Sequence, residues 1–564
     1  DHDVWLDTNE DGVITDDDYK LTAGDEYKIA TLENGNTEFS TSPAFLPYGD
    51  YVLYERQGSN DTYIIPDKYS KEGISFSIKN DLEYQMFVLD ADEDELTGDL
   101  KTKYGPYMTS ISSHFADGSK MDVKRNVTFT ALGNDNVFAN KVNRHGVAII
   151  KYDSDEHADA AYSETLPTPQ GDGKLTGAEY EVINMNNGAI MVDTDNDHKG
   201  DTKIEKNGVC TVLKTVLDDE TGLEYAATNT TFLPAGTYKI VEKTPSVGYL
   251  NSTDRGGIVS HSYEVKDDGA YLLYGTSDKA LTALKQIVTG KYPNTVFDGH
   301  THEIKWIEKK TDVFAEPVMR GQVSIKKNDA DRKEHKTGTN SMFKGDYDSK
   351  YAQGDASFDN AVYNIYNISD SYVYTKGTNG NTTLERYESG KTAFAKLTGI
   401  DTESLEYTNG VCEQTFDAVF TDKTAESIRT GLAANICYTL TTDENGNAST
   451  DKGALPYGTY LILEKSPSKG YRNTSSDGGC IAKIVRIREE NETVDVNYDA
   501  KSTDRGLYES VIRGGFEVYK YDEETLMSVP QGTANLAGSF EVINRSESYV
   551  WVDSNEDGVL SDNE

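Results

Sequence analysis

Three segments of the chain put a carboxylate on the side of a β-strand that would face a core. In LPAGTYKIVEK (residues 233–243), strand alternation places Tyr238, Ile240 and Glu242 on one face and Lys239, Val241 and Lys243 on the other. LPYGTYLILEK (455–465) does the same with Tyr460, Ile462 and Glu464, and LPYGDYVLYER (46–56) with Tyr51, Leu53 and Glu55. A second set of strands buries the opposite charge. RHGVAIIKYD (144–153), RGQVSIKKND (320–329) and RGGFEVYKYD (513–522) put Lys151, Lys327 and Lys520 on the faces of Val147 and Ile149, Val323 and Ile325, and Phe516 and Val518. Parity selects Lys327 over Lys326, which points the other way with Ser324. A third set, VFANKVNR, VFAEPVMR and GLYESVIR, aligns Asn140, Glu316 and Glu509 with flanking apolar residues.

A lysine and a glutamate buried together must be paired or neutralised, since unpaired charge is costly inside a protein. Desolvation lowers an amine's pKa and raises a carboxylic acid's, so the pair can exchange a proton and leave a neutral amine. A neutral amine is a nucleophile. Against a carboxamide whose carbonyl a protonated Glu polarises, it can attack and expel ammonia. The product is an amide crosslink between the first and last strands.

The Val-x-Ile-x-Lys strand, the LTGAEYEV strand (175–182), the LP-x-G-x-Y-x-x-x-E segment and the closing VFAN together resemble the CnaB-type (SpaA-like, prealbumin-like) domains of Gram-positive surface adhesins and pilins. The resemblance covers essentially the whole chain. It implies tandem CnaB-like (prealbumin/immunoglobulin-like) β-sandwich domains stacked into stalks. It also implies a Lys–Asn isopeptide bond whose catalytic acid is the strand Glu: Glu55, Glu242 or Glu464. The chain departs from that pattern where Glu316 and Glu509 replace the Asn. A carboxylic acid lacks ammonia as leaving group, so a buried salt-bridge cluster, or an acceptor one strand away, competes with a crosslink at Lys151 and Lys327. Asn140 keeps the amide. Lys520 is the matching type of residue for it, and the sequence raises the hypothesis that Lys520 of one copy joins Asn140 of another.

These strands recur in order, and the order divides the chain. Residues 1–143 read as the C-terminal half of such a domain, 144–319 and 320–512 as complete domains with insertions, and 513–564 as the N-terminal half of another. The fold class expected is therefore all-β. Each closing strand runs almost directly into the next opening strand, which leaves little flexible linker and favours a head-to-tail rod. The half-domains at the ends read either as a window on a longer array or as halves that complete each other between chains.

Composition sets the outer bounds. The 564 residues carry a formal net charge of −41 and 37 Tyr, which suits water-exposed β-structure and argues against nucleic acid or anionic membrane as partner. No apolar run of membrane-spanning length occurs. DTNEDGVITDDD sets Asp7, Asn9, Asp11, Val13, Thr15 and Asp18 at the spacing of a calcium loop, and DSNEDGVLSDNE repeats it with Asp553, Asn555, Asp557 and Glu564. Asn-Asp-Gly hairpin turns are the competing reading. DTDNDHKGD (193–201) and DADEDELTGD (90–99) are weaker versions, with a solvated charge run the better reading of the second. HTHE (300–303) is a poor metal pair, and no nucleophile elbow or phosphate loop appears. Four cysteines (Cys210, Cys412, Cys437, Cys480) allow one disulfide in the 320–512 unit or small buried side chains, the latter preferred for Cys210. Sequons at Asn126, Asn229 and Asn381 carry little weight in so Asn- and Thr-rich a chain. The expectation is an extracellular stalk or filament protein that associates with copies or neighbouring repeats of itself. Recognition of a host or plant surface ligand through inserted loops is the alternative. Any catalysis would be directed at the chain itself.

Overall fold

A computed structural model describes residues 3–9, 14–32, 39–41, 45–56, 62–87, 110–114, 120–124, 128–157, 165–251, 260–293, 296–297, 300–301, 303–311, 313–331, 352–376, 383–414, 422–472, 482–497 and 507–555. The architecture is all-β, in several units built on paired sheets. The opening strand Arg144–Ile150 is hydrogen-bonded antiparallel to Glu224–Ala227 and parallel to Ala270–Tyr274, which in turn pairs with Lys305–Lys309. Across the core lies a second sheet, ordered Val209–Lys214, Glu179–Asn184, Gly236–Thr244 and Ser260–Val265. Val147 and Ile149 from the first sheet meet Tyr180, Val182, Tyr238 and Ile240 from the second, all fully buried. Arg320–Asp329 repeats the role of the opening strand, and Val362–Asn367 and Gly458–Ser466 repeat the roles of the facing strands.

The Leu-Pro-x-Gly-x-Tyr signature has a physical cause. The hydroxyls of Tyr238, Tyr460 and Tyr51 each donate to the carbonyl of the proline four residues earlier, at 2.7 Å in all three. That bond pins the corner entering each acid strand, which fixes the register on which the inward Glu depends.

The outer sheet faces are not all solvent-facing. Ala148, Ile150, Tyr271 and Leu273 are buried beneath the helix Asp278–Lys291, capped by the Ser277 side chain. Leu461 and Leu463 are covered by Lys391–Thr398 and Asp422–Gly431 through Phe394, Ala425 and Ile428. Both faces of Gly458–Ser466 are therefore apolar, and the insertions include helices that act as lids. The Asn-rich stretch 375–386 lies partly in a hairpin joining Val373–Lys376 to Leu384–Tyr387; its residues 377–382, with Asn381, lie outside the described residues.

The ends depart from expectation. Residues 513–521, read as an opening strand, form none, and Phe516, Val518 and Lys520 are exposed. No described strand pairs with this segment, so it has neither ladder partners nor an opposing apolar layer. Residues before 143 form short pairs, of which Gly49–Leu53 with Ile74–Ile78 carries the acid segment toward Glu55.

Candidate functional site

Each complete unit places its charged trio where the two sheets meet. Lys151 follows the opening strand, Glu242 sits on the facing sheet opposite Tyr180, and Glu316 lies on Ala315–Glu316, which pairs parallel with Tyr152–Asp153. Lys151 Nζ is 3.4 Å from Glu242 Oε1 and in contact with Glu316 Oε2. The second unit reproduces this arrangement. Lys327 Nζ is 3.7 Å from Glu464 Oε1 and in contact with Glu509 Oε2. Both lysines are 0% exposed. Parity thus places Lys327 inside and leaves Lys326 half-buried.

Sequence reasoning missed several members of this site. Tyr180 donates to Glu316 Oε1 at 2.7 Å, and Tyr363 donates to Glu509 Oε1 at 2.8 Å. These are the tyrosines of LTGAEYEV and of AVYNIYN (361–367), and their shared position in the repeat was the available signal. Two residues beyond each lysine stands another buried acid, Asp153 or Asp329. Tyr249 and Tyr471 donate to these at 2.8 and 2.9 Å, with their rings 5.2 and 4.8 Å from the lysine nitrogens.

Burial lowers both amines to about 8, with Glu242 and Glu464 pulling the other way. Burial raises Glu242, and raises Glu464 to about 7, against the attraction of the neighbouring lysines. Three acids around one base in a dry site cannot all be ionised, so protons are shared. Each site thus gathers a desolvated amine, acids from the facing and closing strands, and a tyrosine hydroxyl that donates to the closing-strand glutamate.

The other predicted positions divide. Asn140 Nδ2 donates to Glu55 Oε1 at 2.6 Å, so that acid and amide do meet, both half-buried. Lys520 is exposed. Of the first acidic loop, Asp7 and Asp18 are buried, and Asp18 accepts from the Thr8 and Thr15 amides at 2.9 and 2.8 Å. Asn9 and Thr15 are also described, while Asp11 and Val13 lie outside the described residues. In the last loop Asp553 and Asn555 are described; Asp557 and Glu564 lie outside, as do residues 90–99, Asn126, His302 and Cys480. The weaker loop gathers more tightly: carboxylate oxygens of Asp193, Asp195 and Asp197 lie within 4.8 Å of one another. Cys210, Cys412 and Cys437 are buried free thiols.

Among solved structures, the chain is similar to the Bacillus anthracis TIE protein at 15% identity and a TM-score of 0.26, over 68% of this chain and 39% of that one. A streptococcal ancillary pilin matches at 14% identity and a TM-score of 0.17, over 68% of this chain and 72% of that one. GBS52, the minor pilin of Streptococcus agalactiae, matches at 11% identity and a TM-score of 0.15, over 66% of this chain and 99% of that one. The chain thus spans well under half the length of the TIE protein. No protein-family profile and no curated protein matches it.

The pKa shifts set a pH dependence. Between 4.5 and about 7 the folded chain keeps a proton on Glu464 that the unfolded chain has lost, so stability falls as pH rises through that window. Relative to Glu464→Gln, the wild-type chain should lose on the order of 3 kcal/mol across it. Denaturant unfolding of both proteins at pH 4.5 and 7 checks this; a constant difference would show that Glu464 titrates normally.

Proposed function

We propose that this chain is part of an extracellular stalk or filament of a Gram-positive-type surface, in which each complete repeat closes on itself by condensing its buried lysine with the closing-strand glutamate. The observation that carries this reading is the repeated contact of Lys151 with Glu316 and of Lys327 with Glu509, each beneath a tyrosine hydroxyl and beside a second acid. In the first repeat, Lys151 first passes a proton to Glu316 Oε2, and the now neutral Nζ attacks Cδ of the protonated Glu316 while Tyr180 holds Oε1. Glu242 takes a proton from the nitrogen and returns it to the departing hydroxyl, which leaves as water. One C–N bond forms, one C–O bond breaks, and Glu242 is regenerated. Condensation also removes a buried ion pair, whose desolvation cost favours the neutral amide.

Such bonds would take the chain between their ends out of the extensible length, as a load-bearing stalk requires. Pulled from its two termini in a single-molecule experiment, the chain should extend about 1,200 Å less than its full contour length. Extension to the full length would refute the self-closed repeat.

The same reading assigns a divalent cation, calcium by its oxygen donors, to the loop of Asp193, Asp195 and Asp197. Partial desolvation and the Asp197 charge hold Asp195 above its ordinary pKa, the mark of crowded anions that a cation would relieve. Calorimetric titration should give a calcium-binding heat that Asp195→Asn with Asp197→Asn reduces at least tenfold in affinity. Equal titrations of the two proteins would remove this site from the proposal.

A further inference from the structure

The lysine sites account for closure within a repeat but not for how one repeat meets the next. A loop outside those sites does so twice, with the same bonds. In the first case Gln170 is buried, and its amide nitrogen donates to Asp153 at 3.1 Å and to Asp155 at 3.0 Å. Its carbonyl oxygen faces outward and accepts the backbone amide of Tyr374, in the next repeat, at 2.7 Å. Gly171 exchanges two backbone bonds with that repeat: its amide donates to the Tyr372 carbonyl at 2.7 Å, and its carbonyl accepts from Ser371 at 2.9 Å. Arg320 closes the contact, donating to Asp155 at 2.6 Å and to the Tyr374 carbonyl at 2.9 Å.

The next junction matches it bond for bond. Gln353 donates to Asp329 and Asp331, and its carbonyl accepts the Trp551 amide at 3.0 Å. Gly354 donates to the Tyr549 carbonyl at 2.9 Å and accepts from Ser548 at 3.1 Å. Arg513 donates to Asp331 and to the Trp551 carbonyl.

We propose that this Gln-Gly loop is an inter-repeat key. Its receptor is a strand edge whose Tyr374 or Trp551 amide and neighbouring backbone groups meet the loop, beside the arginine that opens the same repeat. Two features show that the key is shaped by its own repeat and not by docking. Gly171 and Gly354 have φ of 61° and 57°, and a third copy, Gly532, has φ of 55° with nothing within 4 Å of an added Cβ. There too the glutamine is held by two acids, Gln531 donating to Asp522 at 2.8 Å and Glu524 at 3.0 Å. The left-handed glycine is required because any side chain is strained there, and at Gly171 a Cβ would stand 2.0 Å from the Tyr457 carbonyl oxygen. Since Asp153 and Asp329 lie two residues past the lysines, the key couples each lysine site to the following repeat. The inference rests on the tandem-rod reading but not on amide formation.

Hydrogen–deuterium exchange on the full chain, resolved to Tyr374 and Trp551, tests it. Gln170→Ala should speed exchange at Tyr374 at least tenfold and leave Trp551 unchanged, and Gln353→Ala should do the reverse, with core strands still protected. Gly171→Ala, which keeps the Gln170 side chain and sets its Cβ against the Tyr457 carbonyl of the next repeat, should reproduce the Gln170→Ala result and serves if that variant loses its fold. Unchanged exchange at both amides in folded variants would overturn the key, whatever the intact mass says about the lysine sites.

Discussion

An amine that has lost its water must find either a counter-charge or a bond, and much of this structure follows from that constraint. Lys151 and Lys327 are brought into dry interiors by strands whose other inward residues are Val and Ile. Everything near them answers the desolvation this imposes. An acid comes from the facing sheet, a second from the closing strand, and tyrosine hydroxyls occupy remaining lone pairs. The tyrosine corners matter because they fix the register of the acid strands. A slip of one residue would turn Glu242 outward and strand the lysine.

The parts legible in sequence were those governed by period two and by recurrence. Alternation alone put Lys151, Glu242, Glu316, Lys327, Glu464 and Glu509 inside, because each lies on or beside a strand with one apolar face toward the core. Alternation says less where an outer face is also covered: it sets Leu461 and Leu463 on the face opposite Glu464, and helices from distant insertions bury them there. It failed at Lys520, because a strand needs partners and none of the described residues supplies them. Tyr180 and Tyr363 were visible as repeated letters, yet their roles depend on a third strand that parity within one segment cannot place. The Gln-Gly keys carry almost no local pattern, and their meaning appears only when two repeats are seen in contact.

The acidic surface and the keyed junctions fit one mechanical picture. A formal net charge of −41 makes the chain repel itself, while each junction joins short polar bonds from a preformed loop to small apolar contacts such as Tyr457 against Leu175, Tyr249 and Val318. Strand order places the closing Glu316 four residues before Arg320, which opens the following repeat, so in the proposed rod a pull would enter and leave each unit beside its lysine site. In the proposed stalk, tension would fall on the lysine that links the first and last strands.

The central claim, that two buried lysines are bonded and not merely paired, is tested most directly by the intact mass of the denatured chain. Two condensations predict a deficit of about 36 Da, about 18 Da for each water expelled in amide formation. The deficit should disappear in the variant carrying Glu242→Gln and Glu464→Gln. An unmodified mass for the wild-type chain would contradict the account and leave both sites as buried ion pairs.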